Sequence, residues 1–213
     1  MPRPLIYVLA GVNGAGKSSL GGRALTQAGL DWFNPDAYAR EWATLTGCAL
    51  AEANGIAWCE GVRRLDDAAA RGRDYAFETT LGGNSIAARL RAAVATHDIA
   101  MWFCGLDSPE HHIARVRLRV AGGGHDIPAA KIRERHVSSL ANLIALLPHL
   151  SQLQVYDNGA DAEPGAPVPN PRLLLQMEDR RLAWPTDAET LGRTPGWAKP
   201  VLEAALMLAD PRA

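Results

Sequence analysis

The chain is predicted to be an α/β protein whose mostly parallel sheet of five or six strands carries helices on both faces. Three observations predict it. A short apolar run, Leu5 to Leu9, passes through a glycine-rich turn into a helical segment; strand-like and helical segments then alternate; and the 213 residues have the composition of an ordinary globule. That length suits one core, so a single domain over residues 1–213 is expected.

Leu5-Ile-Tyr-Val-Leu9 is continuous and rich in β-formers, the pattern of a central strand buried on both faces. Gly11 to Gly16 breaks it, and Lys17 to Ala28 reads as a helix ending at Gly29. Trp32 to Asn34 is a short second strand stopped by Pro35, and the alanine-rich stretch from Ala37 to Arg71 reads as two helices, with Gly47, Asn54 and Gly55 as breaks. Asp74 to Glu78 is the third strand, Ser85 to Thr96 a helix, and Ile99 to Leu106 a fourth, buried strand. This alternation implies right-handed crossovers and a parallel sheet.

Ser108-Pro109-Glu110 is an N-cap followed by proline at the first helical position, opening a helix to about Val120. Gly122-Gly-Gly124 ends it, and a second helix runs from Pro128 to about Leu147. Leu153 to Tyr156 is the fifth strand, and Asp157-Asn158-Gly159 is a turn. Residues 159–171 form a proline-rich loop, Leu173 to Met177 a sixth strand at an edge, and Trp197 to Ala209 a last helix.

With 47% hydrophobic and 21% charged residues, a disordered or fibrous class is excluded, and a net charge of −1 gives no bulk attraction to nucleic acid or membrane. Only Lys17, Lys131 and Lys199 are lysines; every other cation is arginine, the better bidentate phosphate clamp. Cys48, Cys59 and Cys104 form no CxxC pair, which points to a reducing compartment and a cytoplasmic protein. The apolar start runs into the glycine loop, unlike a cleaved leader, and no stretch is long enough to span a bilayer.

Gly11-Val-Asn-Gly-Ala-Gly-Lys17-Ser18 satisfies GxxxxGK[ST] between a buried strand and a helix, the context that the P-loop motif requires. Backbone N–H groups of Gly11, Asn13, Gly14, Ala15, Gly16, Lys17, Ser18 and Ser19 are therefore expected to cradle the phosphates of a nucleotide. Lys17 should reach the β- and γ-phosphates, and the Ser18 hydroxyl should ligate Mg²⁺. No base-reading NKxD segment of GTPases occurs, so the expected nucleotide is ATP.

Several segments together resemble the zeta-toxin family of P-loop kinases, in particular its short chromosomal branch. They are Gly11 to Ser18, Asn34-Pro-Asp-Ala-Tyr-Ala39, Phe77-Glu-Thr-Thr-Leu81, Arg115 to Val120, Gly122-Gly-Gly-His-Asp-Ile-Pro128 and Lys131-Ile-Arg-Glu-Arg135. Asn13 stands where zeta toxins commonly have proline. The resemblance implies a P-loop NTPase fold with a helical lid at about residues 111–136, and an aspartate after the second strand that activates a hydroxyl of the acceptor. It also implies a small-molecule acceptor such as a UDP-amino-sugar or related nucleotide metabolite, and a small helical antitoxin as partner.

Asp36 follows Pro35 at the carboxyl edge of the sheet, where it reads either as general base and acceptor ligand or as the N-cap of the next helix; the resemblance favours the base. Glu78 and Thr79 close the third strand at the same edge and are expected to bind the acceptor, with Glu78 acting through water on Mg²⁺ as the alternative. Thr80 reads equally well as a polar strand end, and Asp107 as a structural turn rather than a metal ligand.

Arg115 and Arg119 share a helix face, and Arg133 and Arg135 begin the returning helix. By the resemblance Arg119 and Arg135 close over the transferring phosphoryl group, with Arg115 and Arg133 as further lid cations; the alternative is a solvated arginine face. His125 and Asp126 read as a turn that shapes the lid. Two other functions fit a P-loop: an ATPase switch acting through a protein partner, and a polynucleotide or tRNA kinase. The latter lacks the expected basic stripe with interleaved aromatics, so nucleic acid is not an expected partner.

Overall fold

The computed structural model of the protein describes residues 2–18, 20–21, 32–161 and 169–209. Seven strands form one sheet in the order β2-β3-β1-β4-β5-β6-β7. These are β1 (Leu5–Ala10), β2 (Trp32–Phe33), β3 (Tyr75–Thr79), β4 (Asp98–Gly105), β5 (Gln152–Asp157), β6 (Arg172–Glu178) and β7 (Arg181–Trp184). The first five are mutually parallel. β6 pairs antiparallel with β5 and β7 antiparallel with β6, and with these two the sheet exceeds the expected five or six strands. β6 is also not an edge: Asp179 and Arg180, both at positive φ (47° and 64°), turn the chain back so that β7 covers it.

The helices are α1 (Pro35–Thr46), α2 (Leu50–Arg71), α3 (Asn84–Ala93), α4 (Pro109–Ala121), α5 (Ala129–Leu146), the short α6 (Ala188–Gly192) and α7 (Lys199–Ala209). Residues 17, 18, 20 and 21 are helical and follow the glycine loop; Ser19 and the remainder of the helix expected to Ala28 lie outside the described residues. Gly47 caps α1 in the left-handed conformation, as expected, whereas α2 runs unbroken through Asn54 and Gly55. The alanines account for the pairing of α1 and α2. Ala39, Ala53 and Ala57 are fully buried where the two helices meet, and their small side chains let the backbones approach.

Strand alternation divides β1 between two layers. Ile6, Val8 and Ala10 join a core with Leu65 of α2, Leu90 of α3, Leu143 of α5 and Val201 of α7. Leu9 points the other way, toward Gly21, where an added Cβ would lie 2.3 Å from its Cδ2. A second apolar cluster joins Val12 of the glycine loop to Ile113 and Val116 of α4 and Ile132 of α5. The base of the α4–α5 pair is thereby packed onto the loop itself. Ser108 caps α4 as its sequence predicts, accepting the His111 N–H at 3.2 Å with Pro109 at the first turn.

Candidate active site

The glycine loop leaves the carboxyl end of β1 between β3 and β4, where open α/β sheets bind ligands. Gly14 and Gly16 have φ of 84° and 79°, which only glycine adopts without strain, and they let the backbone wind into a concave turn. Lys17 is buried at the turn and donates to the Val12 carbonyl at 3.3 Å.

Glu78, at the end of β3 and in register with Leu9 of β1, is the hub beside this loop. Its Oε1 lies 3.3 Å from Lys17 Nζ, while its Oε2 accepts from Ser18 Oγ at 3.1 Å and Asn34 Nδ2 at 3.2 Å. A buried carboxylate with a cation and two donors is well compensated. The arrangement places Glu78 beside the hydroxyl expected to carry Mg²⁺. Among the described residues, no three His, Cys, Asp or Glu side chains converge as a protein-only metal cage requires. Ser18 Oγ could supply one oxygen to a Mg²⁺ ion whose other ligands are phosphate and water.

Asn34 also corrects one reading of Asp36. The Asn34 side chain accepts the Ala37 N–H at 3.0 Å and caps α1, with Pro35 next and Asp36 one position further into the first turn. The cap role is thus filled, and the Asp36 carboxylate faces a cavity of about 410 Å³ shared with Lys17, Glu78, Thr79, Asn54, Trp58 and Arg135. Phe33, Val62, Phe77 and Ile86 give that cavity an apolar wall.

Two arginines of the α4–α5 pair reach this site. Arg119 Nη1 lies 3.8 Å from Asp36 Oδ2, and its Nη2 donates to the His125 carbonyl at 3.0 Å. Gly124 makes that position available, since a Cβ there would lie 2.6 Å from Arg119 Cγ. Arg135 donates to Asn13 Oδ1 at 2.8 Å, so Asn13 ties the arginine to the loop. Burial lowers the Arg135 proton affinity, opposed by the charges of Glu134 and Asp36.

Arg115 and Arg133 are placed elsewhere. Arg115 bonds Asp161 at 2.7 Å and the Ala160 carbonyl, and Arg133 bonds Glu110 at 3.1 Å. Thr79 and Thr80 line the cavity, but each hydroxyl accepts a backbone N–H, from Leu81 and Gly82. Asp107 is exposed and bonded to His111 and Ser108, which matches the turn reading.

The sequence did not single out His112, Cys104 or the side-chain role of Asn158. His112 Nδ1 donates to the Asn13 carbonyl at 2.9 Å. Burial pushes the His112 imidazole down to about 3, against the opposing effect of that bond, so the ring is neutral near pH 7. Asn158 Nδ2 and Cys104 Sγ both donate to the Ala15 carbonyl, at 2.9 and 3.0 Å. Asn54 Nδ2 donates to His125 Nε2 at 3.3 Å, joining α2 to the segment after α4.

The chain is similar over 92% of its length to the AvrRxo1-ORF1:AvrRxo1-ORF2 complex solved with ATP, at TM-score 0.66 and 15% identity, spanning 64% of that chain. The chain shares the α/β fold of that structure and carries a GxxxxGK[ST] loop after its first strand. The PezAT chromosomal toxin-antitoxin system of Streptococcus pneumoniae aligns with 74% of this chain and 68% of its own, at TM-score 0.53 and 13% identity. A chain of the Pnkp1/Rnl/Hen1 RNA repair complex aligns over 67% of this chain and 46% of its own, at 0.50 and 16%. No protein-family model and no curated protein matches the chain. No helix among the described residues is long and apolar enough to cross a membrane.

Proposed function

We propose that this protein is an ATP-dependent phosphotransferase that moves the γ-phosphoryl group onto a hydroxyl of a small acceptor. The observation that carries the reading is the meeting of Asp36, Arg119 and Arg135 beside a P-loop whose Lys17 and Ser18 share the Glu78 carboxylate. The acceptor occupies the cavity between α2 and the loop, with its hydroxyl at Asp36. Asp36 takes the hydroxyl proton as the acceptor oxygen bonds to the γ-phosphorus; the bond from that phosphorus to the β–γ bridging oxygen breaks, and ADP leaves. Lys17, Arg119 and Arg135 compensate charge on the oxygens in transit. Mg²⁺, when bound at Ser18, neutralises charge on the β- and γ-phosphate oxygens.

The cavity size and its mixture of aromatic and amide side chains favour a compact acceptor with a planar part, in keeping with a UDP-amino-sugar or related nucleotide metabolite. The toxin-antitoxin neighbour supports including a small helical antitoxin among the partners. ADP release measured with and without a panel of nucleotide sugars tests the reading. Release should rise when the right acceptor is added, whereas release unaffected by every small molecule but changed by a protein partner supports a switch instead.

The arginines give a sharper test. Arg119→Ala and Arg135→Ala are each expected to lower kcat by about 10² while changing ATP affinity far less, because the charge they meet develops during transfer. Arg133→Ala, whose side chain pairs with Glu110 away from the cavity, should leave kcat near wild type. Normal turnover in both Arg119→Ala and Arg135→Ala removes the lid from the mechanism.

A further inference from the structure

A phosphate cradle works only if successive N–H groups point inward, and a trans peptide plane directs its C=O opposite to its N–H. The carbonyls of the cradle therefore point into the protein, where they need donors. The Asn13 carbonyl belongs to the same peptide plane as the Gly14 N–H, and the Ala15 carbonyl to the same plane as the Gly16 N–H. These two carbonyls receive side-chain donors from three other parts of the fold. His112 of α4 donates to Asn13, while Asn158 after β5 and Cys104 of β4 both donate to Ala15.

The donors are built in. His112 is 1% exposed, Cys104 is fully buried and Asn158 is 9% exposed. Fit is tight as well: a Cβ at Gly16 would lie 2.3 Å from Asn158 Nδ2, and one at Gly14 would lie 2.7 Å from the His112 carbonyl. Because Gly14 and Gly16 turn freely, nothing within the loop's own covalent structure holds these two planes in one orientation.

We infer that His112, Asn158 and Cys104 are positioning residues for the nucleotide: by holding the Asn13 and Ala15 carbonyls toward the protein interior, they preset the Gly14 and Gly16 N–H groups toward the β-phosphate. The inference rests on the P-loop nucleotide site proposed above. It goes beyond it in assigning the site's preorganisation to three residues that never touch the ligand. Binding to a preset cradle avoids the loss of freedom that ordering two peptide planes would otherwise impose on complex formation.

Mg-ADP affinity, measured by calorimetry below the melting temperature of each protein, tests this. Asn158→Asp keeps the shape but sets an acceptor against the Ala15 carbonyl, and His112→Leu withdraws the donor to Asn13. Each is expected to weaken Mg-ADP binding about ten- to hundredfold, the scale of a lost buried hydrogen bond. His112→Asn, which restores an N–H near the same place, should recover most of the affinity. Cys104→Ala should cost no more than about threefold, because the thiol is a weak donor and Asn158 still serves the carbonyl.

A purely structural role would lower the melting temperature of these variants without moving the affinity of the folded protein. If Asn158→Asp does not fold, Asn158→Ala removes the donor without adding a carboxylate and reads the same quantity. Wild-type affinity in folded His112→Leu and Asn158→Ala overturns the inference while leaving the nucleotide site intact. Failure of the unaltered protein to bind Mg-ADP removes both.

Discussion

Lys17→Ala is expected to abolish measurable phosphoryl transfer, a loss of about 10³ or more in turnover, and to weaken ATP binding strongly. Lys17 is the one cation held inside the glycine loop, and without it the β- and γ-phosphates meet the Glu78 carboxylate with its nearest counter-charge removed. The same substitution breaks a buried ion pair, which alone costs up to about 3 to 5 kcal/mol. Here the cost should fall toward the lower end, because Ser18 and Asn34 still donate to Glu78. The double variant Lys17→Ala/Glu78→Gln separates the effects. It should recover thermal stability and still fail to bind ATP, and unchanged ATP affinity in a folded Lys17→Ala protein would contradict the P-loop assignment.

Asp36→Asn should reduce turnover by about 10² or more while ATP affinity stays near wild type, the behaviour of a lost general base. Stability and activity separate cleanly at this position. Asn34, not Asp36, caps α1, so the substitution removes only a half-exposed charge from the first helical turn, worth about 0.3–1 kcal/mol. Turnover within a few-fold of wild type would mean that the acceptor hydroxyl loses its proton elsewhere.

The parallel half of the sheet was legible because each of its strands is a short apolar run ended by glycine, proline or a polar turn, as in Leu5 to Gly11. The hairpin of β6 and β7 was not. Its turn uses Asp179 and Arg180 at positive φ where a glycine or asparagine would have signalled it, and β7 is only four residues long. The α1 cap was within reach, since Asn34-Pro35 is the usual pairing of a capping side chain with proline at the first turn.

In the site, local pattern carried the glycine loop and grouped the arginines by helix face, but not their partners. Arg115 and Arg119 lie on one face; Arg115 is nevertheless drawn away by Asp161, 46 positions later, and only Arg119 reaches Asp36. The donors behind the loop are more remote still. His112 and Asn158 stand 99 and 143 positions from the carbonyls they hold, and no spacing rule connects them. Glu78 lay between: its place at a strand end was readable, and its sharing between Lys17 and Ser18 needed the parallel register of β1 and β3.

The central claim is transfer of a phosphoryl group to an acceptor hydroxyl, and mass spectrometry of the products tests it most directly. The protein is incubated with γ-labelled ATP, Mg²⁺ and a nucleotide-sugar panel. The account predicts one acceptor heavier by a single labelled phosphoryl group, formed by wild type and lost with Lys17→Ala and Asp36→Asn. Label found only in inorganic phosphate, with every acceptor unchanged, would contradict it.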